Sequence, residues 1–331
     1  MLIDTVAEAA SRLAGQHCET TALGVLLHHE GVHLSEPLRF GIGEGLGFLY
    51  WDSKAMDFPL LAGRSKPMAL ARTLAAHLGA TLHVEETTST RKAWQNLTGA
   101  LDAGRPVGLQ LDSHHLEHFT SKVHFGGHVV AAYGYDDTHV HLVETAQQGG
   151  AVSVSRASLE RARAERGPMT ARNLSFTLTA AGDRPPVGDV VRAAAGRTAR
   201  AFLDPPVANL GHRGIEVAAR RVLTWLDRDG DPRPRIATAA ALVERGGTGG
   251  SLFRALYRDF LGECADLTGD DAFARAHGAF QEIAPLWTRV SEHLAAAADD
   301  GEAHHLADAS AVLRELADRE REAMGVLSPL R

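Results

Sequence analysis

The stretch HFGGHVVAAYGYDDTHVHLVET, residues 124–145, decides the fold of the first half of this chain. Its two runs rich in Val, Leu and Tyr have the composition of β-strands, and the turn-forming residues Asp136 and Asp137 separate them. The stretch therefore predicts an antiparallel hairpin whose second strand returns beside the first. Because His128 begins the first strand and Glu144 ends the second, the hairpin is predicted to set an imidazole beside a carboxylate.

A second stretch, GQHCETTALGVLLHHEG at residues 15–31, predicts a helix over 18–30 that begins with Cys18. The positive end of a helix dipole favours a thiolate over a thiol at that position. A thiolate, an imidazole base and an acid that orients the base are the groups that nucleophilic catalysis requires. We therefore interpret Cys18, His128 and Glu144 as a catalytic triad. The alternative is a buried cysteine, a strand-edge histidine and an exposed carboxylate.

Two neighbouring features are predicted to complete the site. Oxyanion stabilisation needs hydrogen-bond donors, for which the side chain of Gln16 is a candidate beside the amide of Cys18. The segment LSEPLRFGIGEGLGFLYW, residues 34–51, has four glycines at alternate positions, which let a backbone approach a ligand closely. It lacks the Gly-Lys-Ser/Thr of a phosphate loop and the context of a dinucleotide motif. It is predicted to lie beside the active site, where three of its residues would bind an amine substrate: Glu36, Gly43 and Glu44.

Histidines cluster in DSHHLEH, residues 112–118, where His114 and His115 both have helical spacing to His118. Two imidazoles can hold zinc with a third ligand, but this stretch contains no HExxH motif, and the chain contains no paired CxxC motifs. The stretch is therefore predicted to be a surface loop, and no metal site is expected.

Two arginine-containing stretches favour the binding of anions. In GGTGGSLFRALYRDFLGE, residues 246–263, a glycine-rich loop runs into an amphipathic helix, and Arg254 is a candidate to bind an acidic substrate group. The alternative is a flexible turn before a packing helix. SRASLERARAERGPMTAR, residues 155–172, is interpreted as a solvated helix face or as a docking surface for an acidic partner.

The composition restricts the classes of protein that remain. Hydrophobic residues make up 44% of the 331 residues and charged residues 23%, as in ordinary globular proteins. The formal net charge of −7 argues against general nucleic-acid binding. Two cysteines rule out a disulfide framework, and Cys264 is interpreted as a small buried apolar residue. Since the chain shows neither an apolar span nor a signal peptide, we expect a cytoplasmic protein without membrane contact.

The order of elements predicts an α+β fold in two domains. Residues 1–180 alternate helical and strand-like stretches, with a helix over 67–78 and strands in ATLHVEE and RPVGLQLD. The stretch AAGDRPPVGD, residues 180–189, is the predicted boundary because adjacent prolines end a helix. Residues 190–331 have helical spacing, which predicts about five or six helices that contribute to a pocket or to an oligomer interface.

Three stretches of the chain resemble the BtrH-type proteins, named after the acyltransferase of butirosin biosynthesis. They are HCETTALGVLLHHEGVHLSEPLRFGIGEGLGFLYW at residues 17–51, GGHVVAAYGYDD at residues 126–137, and the glycine-rich stretch at residues 246–263. The amino-terminal domain of that family is similar to the bacteriocin-processing papain-fold cysteine peptidases, whose Cys, His and Asp fall at Cys18, His128 and Glu144. The resemblance implies a papain-like fold for the first domain, with Glu in place of Asp in the triad.

The resemblance also implies an activity. An acyl group carried as a thioester on an acyl carrier protein would pass to Cys18 and then to the amine or hydroxyl of a small acceptor, with no cofactor beyond the phosphopantetheine arm of the donor. A polycationic acceptor suits the carboxylates of residues 30–52, and an acidic carrier protein suits the arginines of 155–172 or near 254. The helical region could also form a homodimer. The alternatives are a thioester-releasing cyclase or hydrolase with the same triad, and a non-catalytic binding module.

Overall fold

A computed structural model describes most of the chain, namely residues 12–53, 58–64, 68–120, 124–167 and 170–331. The described residues form two compact units, the first from residues 1–39 and 67–185 and the second from residues 40–66 and 186–331. The passage into the second unit at residues 185–186 lies within the proline-containing stretch 180–189. The segment 40–66 was predicted to belong to the first domain, but it packs with the helices of the second unit.

The strands of the described residues form two antiparallel sheets. In chain order they are β1 (Leu49–Trp51), β2 (Leu60–Ala62), β3 (Thr81–Glu85), β4 (Val107–Leu111), β5 (His128–Tyr135), β6 (His139–Val143), β7 (Ala151–Ser155) and β8 (Ser175–Thr179). β1 and β2 pair with each other in the second unit. The other six form the sheet of the first unit in the order β3-β8-β4-β5-β6-β7. Helices and an antiparallel sheet in one unit confirm the predicted α+β class.

Helices make up most of the rest. They are α1 (Cys18–His29), α2 (Glu36–Ile42), α3 (Ala69–His77), α4 (Thr90–Asp102), α5 (Arg156–Ala164), α6 (Val187–Leu203), α7 (Gly211–Arg221), α8 (Arg233–Arg245), α9 (Arg254–Thr268), α10 (Asp271–Asp300) and α11 (Ala303–Leu327). The helix predicted over 67–78 is α3, and residue 67 lies outside the described residues. The last six helices belong to the second unit, in agreement with the five or six predicted. Among the described residues, no helix combines the length and apolar character that crossing a bilayer requires.

The core of the first unit lies between the six-stranded sheet and the helices α4 and α5. Alternate residues of the central strands point into it, among them Leu109 of β4, Val130 of β5 and Leu142 of β6, all fully buried. Leu97 of α4 and Leu159 of α5 complete the cluster. Helix α1 packs against β5. The strand that begins with His128 and the strand that ends directly before Glu144 therefore contribute to the apolar core, and the helix that begins with Cys18 packs against the first of them.

Candidate functional site

Cys18 lies at the first position of α1, as the sequence predicts, and its side chain is partly exposed. The preceding residue caps the helix, because Nδ1 of His17 accepts from the amide of Thr20 at 3.4 Å. Glu19, directly after the cysteine, is fully buried, and its Oε1 accepts from the amide of Ala71 at 3.0 Å in the first turn of α3. These contacts fix the beginning of α1 and therefore the position of the thiol.

The carboxylate of Glu36 braces the loop that leads to Cys18. It accepts from the amide of Gln16 at 2.9 Å, from the amide of His17 at 2.9 Å and from the hydroxyl of Thr20 at 2.8 Å. A Cβ at Gly15 would lie 2.5 Å from this carboxylate, so a larger residue there would displace the side chain of Glu36. The carboxylate of Glu36 thus holds the loop before Cys18 in place. The sequence predicted instead that Glu36 binds an amine.

His128 and Glu144 meet where the hairpin joins them. β5 and β6 pair with Ala131 opposite Val143, so Glu144 returns to the beginning of β5. Nε2 of His128 lies 2.9 Å from Oε1 of Glu144, and both side chains are buried. The thiol of Cys18 lies near this imidazole and contributes to the rise in its pKa. Since Nε2 faces the carboxylate, Nδ1 is the nitrogen left for the sulfur. The structure therefore brings the three predicted residues into one chain of contacts.

A second histidine shares the same carboxylate oxygen. Nε2 of His118 lies 3.1 Å from Oε1 of Glu144, and its buried Nδ1 has no hydrogen-bond partner among the described residues. The ring of the next residue, Phe119, stands edge-on against the imidazole of His128 with centroids 5.1 Å apart. Sequence spacing grouped His118 with the neighbouring histidines, and only the long-range packing of this loop brings it to Glu144.

Burial and charge oppose each other at this pair. Burial lowers the pKa of His128, but the charge of Glu144 and hydrogen bonds to Cys18 and Glu144 outweigh it, so the pKa rises above its ordinary 6.5. Burial raises the pKa of Glu144, but the charge of His128 and hydrogen bonds from His118 and His128 bring it below its ordinary 4.5. An imidazolium beside a carboxylate is therefore the favoured form at neutral pH, and an imidazolium stabilises a neighbouring thiolate.

The segments on the two sides of the site are also joined through their backbones. The amide of Ala146, two residues after Glu144, donates to the carbonyl of Gly15 at 2.8 Å, three residues before Cys18. The side chain of Gln16 is exposed in this loop. Its role as an oxyanion donor stays a prediction.

The other residues predicted to bind substrate belong to the second unit. Glu44 pairs with Arg197 at 2.9 Å, and Gly43 is buried in the same segment. Arg254 is fully buried and makes two hydrogen bonds of 2.8 Å to the carboxylate of Glu320. Its guanidinium is thus closed off from an acidic substrate group, in contrast to the predicted contact. The roles of Gly43 and Glu44 stay predictions.

The basic stretch at 155–172 is divided between core and surface. Arg163 is buried and donates to the carbonyls of Ala93 and Asn173. Arg156 is exposed and its guanidinium lies 3.9 Å above the centre of the Trp94 ring. Residues 168–169 of this stretch lie outside the described residues. A docking surface on α5 would therefore use its outward arginines.

Two groups of side chains in the described part of the chain have the composition and proximity that a metal ion requires. One contains His115, His124 and Glu165 in the first unit, and the other contains His293, His305 and Asp308 in the second. Neither corresponds to the spacing of His114 or His115 to His118 that the sequence suggested.

Two sequence models of protein families match the chain. The model described as "Butirosin biosynthesis protein H, N-terminal" matches residues 17–145 and so spans the whole of the site, from the cap of α1 to the residue after Glu144. The model described as "Domain of unknown function (DUF4872)" matches residues 157–327, just over half of the chain. A search of curated proteins gives no significant match.

Proposed function

Because the chain belongs to the BtrH-type family and its residues 157–327 match the DUF4872 model, we propose that it is a cysteine-dependent acyltransferase of specialised metabolism. It would take an acyl group from a carrier-protein thioester onto Cys18 and transfer it to an amine or hydroxyl of a small acceptor. The observation that carries this proposal is the chain of contacts from Cys18 through His128 to Glu144. A papain-like arrangement is proposed with it, supported by a cysteine-bearing helix packed against an antiparallel sheet that carries the histidine.

The first half-reaction loads the enzyme. The thiolate of Cys18 attacks the thioester carbonyl, and a new carbon–sulfur bond forms. The bond from the carbonyl carbon to the phosphopantetheine sulfur then breaks, and the leaving thiolate takes the proton held by the imidazolium of His128. Helical amides in the first turn have no intrahelical partner, so the amide of Cys18 is a donor for the intermediate oxyanion. The enzyme is left as a thioester on Cys18 beside a neutral imidazole.

The second half-reaction transfers the acyl group. The amine of the acceptor attacks the acyl carbon while His128 takes its proton, and the amide bond forms as the carbon–sulfur bond to Cys18 breaks. The thiolate–imidazolium pair is restored, so atoms and charge balance over the cycle. Glu144 keeps the imidazole oriented with Nδ1 toward the sulfur throughout.

The charges of the chain suit the proposed substrates. Arg156 and Arg161 are exposed on α5 and could receive an acidic carrier protein. The net charge of −7 favours approach of a polycationic acceptor. Since Glu36 braces the loop before Cys18, we assign it a positioning role, and amine binding by Glu44 stays a prediction.

The test is intact-protein mass spectrometry after mixing the chain with acyl-carrier and acyl-pantetheine thioesters. We expect one acyl increment on the wild-type chain and on Cys264→Ala, and none on Cys18→Ala. Addition of an amine should remove the increment and yield the amide. Prompt loss in buffer with release of the free acid, or of a ring, would instead identify a hydrolase or cyclase. An unloaded Cys18 that also resists alkylation would identify a non-catalytic binding module and overturn the proposal.

A further inference from the structure

A cluster of two imidazoles and one carboxylate lies apart from the triad in the first unit. The histidine cluster, as we call it, contains His115, His124 and Glu165, and the three ligand atoms that these side chains offer all lie within 4.8 Å of one another. The side chains are 20%, 58% and 32% exposed, respectively, so an ion can reach them from solvent.

Distant parts of the chain supply the three members of the cluster. His115 ends the short 3₁₀ turn that follows β4, His124 lies in the stretch that leads into β5, and Glu165 comes directly after α5. Nε2 of His115 and Oε2 of Glu165 are 2.6 Å apart. Folding thus brings together three metal ligands that no short sequence motif contains. For this reason the sequence predicted no metal site.

A neighbouring carboxylate fixes the orientation of one imidazole. Oδ2 of Asp112 lies 3.1 Å from Nδ1 of His124. The other oxygen of Asp112 accepts from the amides of His114 at 2.9 Å and Phe125 at 3.0 Å, so the carboxylate is itself held in place. With its Nδ1–H donated to Asp112, His124 keeps the lone pair of Nε2 free for an ion. A carboxylate behind a ligating histidine is the usual outer-shell partner of protein metal sites.

We infer that the histidine cluster binds a divalent transition-metal ion, with zinc as the ion that best fits two imidazoles, one carboxylate and a water molecule. When the ion binds, the hydrogen bond between His115 and Glu165 breaks, both groups turn their lone pairs to the metal, and any proton on Nε2 of His115 passes to solvent. In the other group of three, the carboxylate paired with His305 is Asp300, which is 45% exposed, whereas the side chain of Asp112 is 7% exposed and is held by two amides.

The position of the cluster suggests what the ion would do. Between His115 and His124 the chain carries His118, which contacts Glu144, and Phe119, which packs on His128. An ion bound by His115 and His124 would fix the positions of the two residues that flank His118 and Phe119 in the chain. The role is therefore structural support of the triad, and binding can be measured without any assumption about the acyl-transfer reaction.

The test is zinc titration by calorimetry of the full chain as its Cys18→Ala variant, which keeps the metal off the catalytic thiol. We expect one equivalent bound at the cluster, with binding lost in His124→Ala and in Glu165→Gln, which keeps the shape of the side chain. The matched control His305→Ala, in the other group of three, should leave this binding event unchanged. Cobalt in place of zinc should give the visible absorption of a four-coordinate site, which the two cluster variants abolish.

A weaker change probes the outer shell. Asp112→Asn keeps the side-chain shape and should reduce zinc affinity by about 10–100-fold. Circular dichroism of each variant checks that it is folded. The inference is overturned if the Cys18→Ala protein binds no zinc, or if folded His124→Ala and Glu165→Gln proteins bind it as tightly as their parent.

Discussion

Replacing Glu144 by glutamine should slow the alkylation of Cys18 at neutral pH by about ten- to hundredfold. Glutamine has nearly the same shape, and its amide oxygen can still accept from Nε2 of His128, but it carries no charge. Burial lowers the pKa of His128, and the charge of Glu144 is the largest of the influences that raise it. Without this charge the imidazolium is disfavoured, and with it the thiolate that the imidazolium stabilises.

The magnitude follows from the contact between the two residues. Nε2 of His128 and Oε1 of Glu144 are 2.9 Å apart, and the carboxylate side chain is fully buried. A hydrogen bond to a charged group contributes about 1.5–3 kcal/mol, and each 1.36 kcal/mol changes a population about tenfold. Glu144→Ala is the stronger change, because two imidazoles lose their acceptor, and it should lower the free energy of unfolding by about 3–5 kcal/mol.

The assay is alkylation by iodoacetamide across a pH series, followed by mass spectrometry of the labelled peptides. Cys264 is an internal reference, because it is buried and burial raises the pKa of its thiol. Asp136→Asn is the matched control, since it removes an exposed carboxylate from the turn of the same hairpin. A folded Glu144→Gln protein with the wild-type rate and pH profile would refute the argument that this charge acts on the thiol.

Three further changes test the surroundings of the site and the core of the second unit. His118→Phe removes a hydrogen bond that lowers the pKa of Glu144, so this pKa should rise, and the loss of Cys18 alkylation on acidification should begin at a higher pH than in the wild-type chain. Glu36→Ala leaves two amides and a hydroxyl without their acceptor and should lower the free energy of unfolding by about 2 kcal/mol. Thermal denaturation measures this loss, and the amides of Gln16 and His17 should exchange hydrogen faster. Unchanged exchange at these two amides would contradict the prediction. Arg254→Met leaves Glu320 as an unpaired buried charge and should cost about 3–5 kcal/mol in urea denaturation. Glu320→Gln in the same background should recover part of that cost, and no recovery would count against the charge as its cause.

The sign of the pH dependence of stability follows from the two shifted groups. His128 has a raised pKa in the folded chain, so its contribution is fully present below its ordinary 6.5 and is lost as the pH rises through the higher folded value. Glu144 has a lowered pKa, so its contribution is present above its ordinary 4.5 and is lost as the pH falls through the lower folded value. The pair therefore supports the fold most between these two ordinary values.

Local patterns predicted the elements that carry the triad because each depends on residues close in sequence. The helix predicted over 18–30 is Cys18–His29, and the two predicted strands of the hairpin are β5 and β6. Their antiparallel pairing brings His128 and Glu144 together through a turn of only a few residues. The composition of the two strands and the turn residues between them were enough here, since both act over short distances.

Local sequence patterns could not predict the contacts between residues that are distant in the chain. β8 enters the sheet between β3 and β4, although about sixty residues or more separate it from each of them in the chain. His118 turns to Glu144, and Glu36 turns back to the loop before Cys18, in both cases because the tertiary fold and not the spacing sets the direction. The buried partner of Arg254, Glu320, likewise lies 66 residues away in the chain.

The braced loop before Cys18 has a consequence for how the enzyme would choose its substrates. The amide of Ala146 and the carboxylate of Glu36 both bond to this loop, and the carboxylate lies directly against Gly15. Groups held in place before the reaction need little rearrangement when charge develops at the acyl carbon, which favours catalysis. The same rigidity leaves the loop unable to adapt to acyl groups of different shape. In the proposed reaction, selection of the donor and acceptor would therefore depend on residues outside this loop, while the loop would hold the thiol of Cys18 in one fixed geometry.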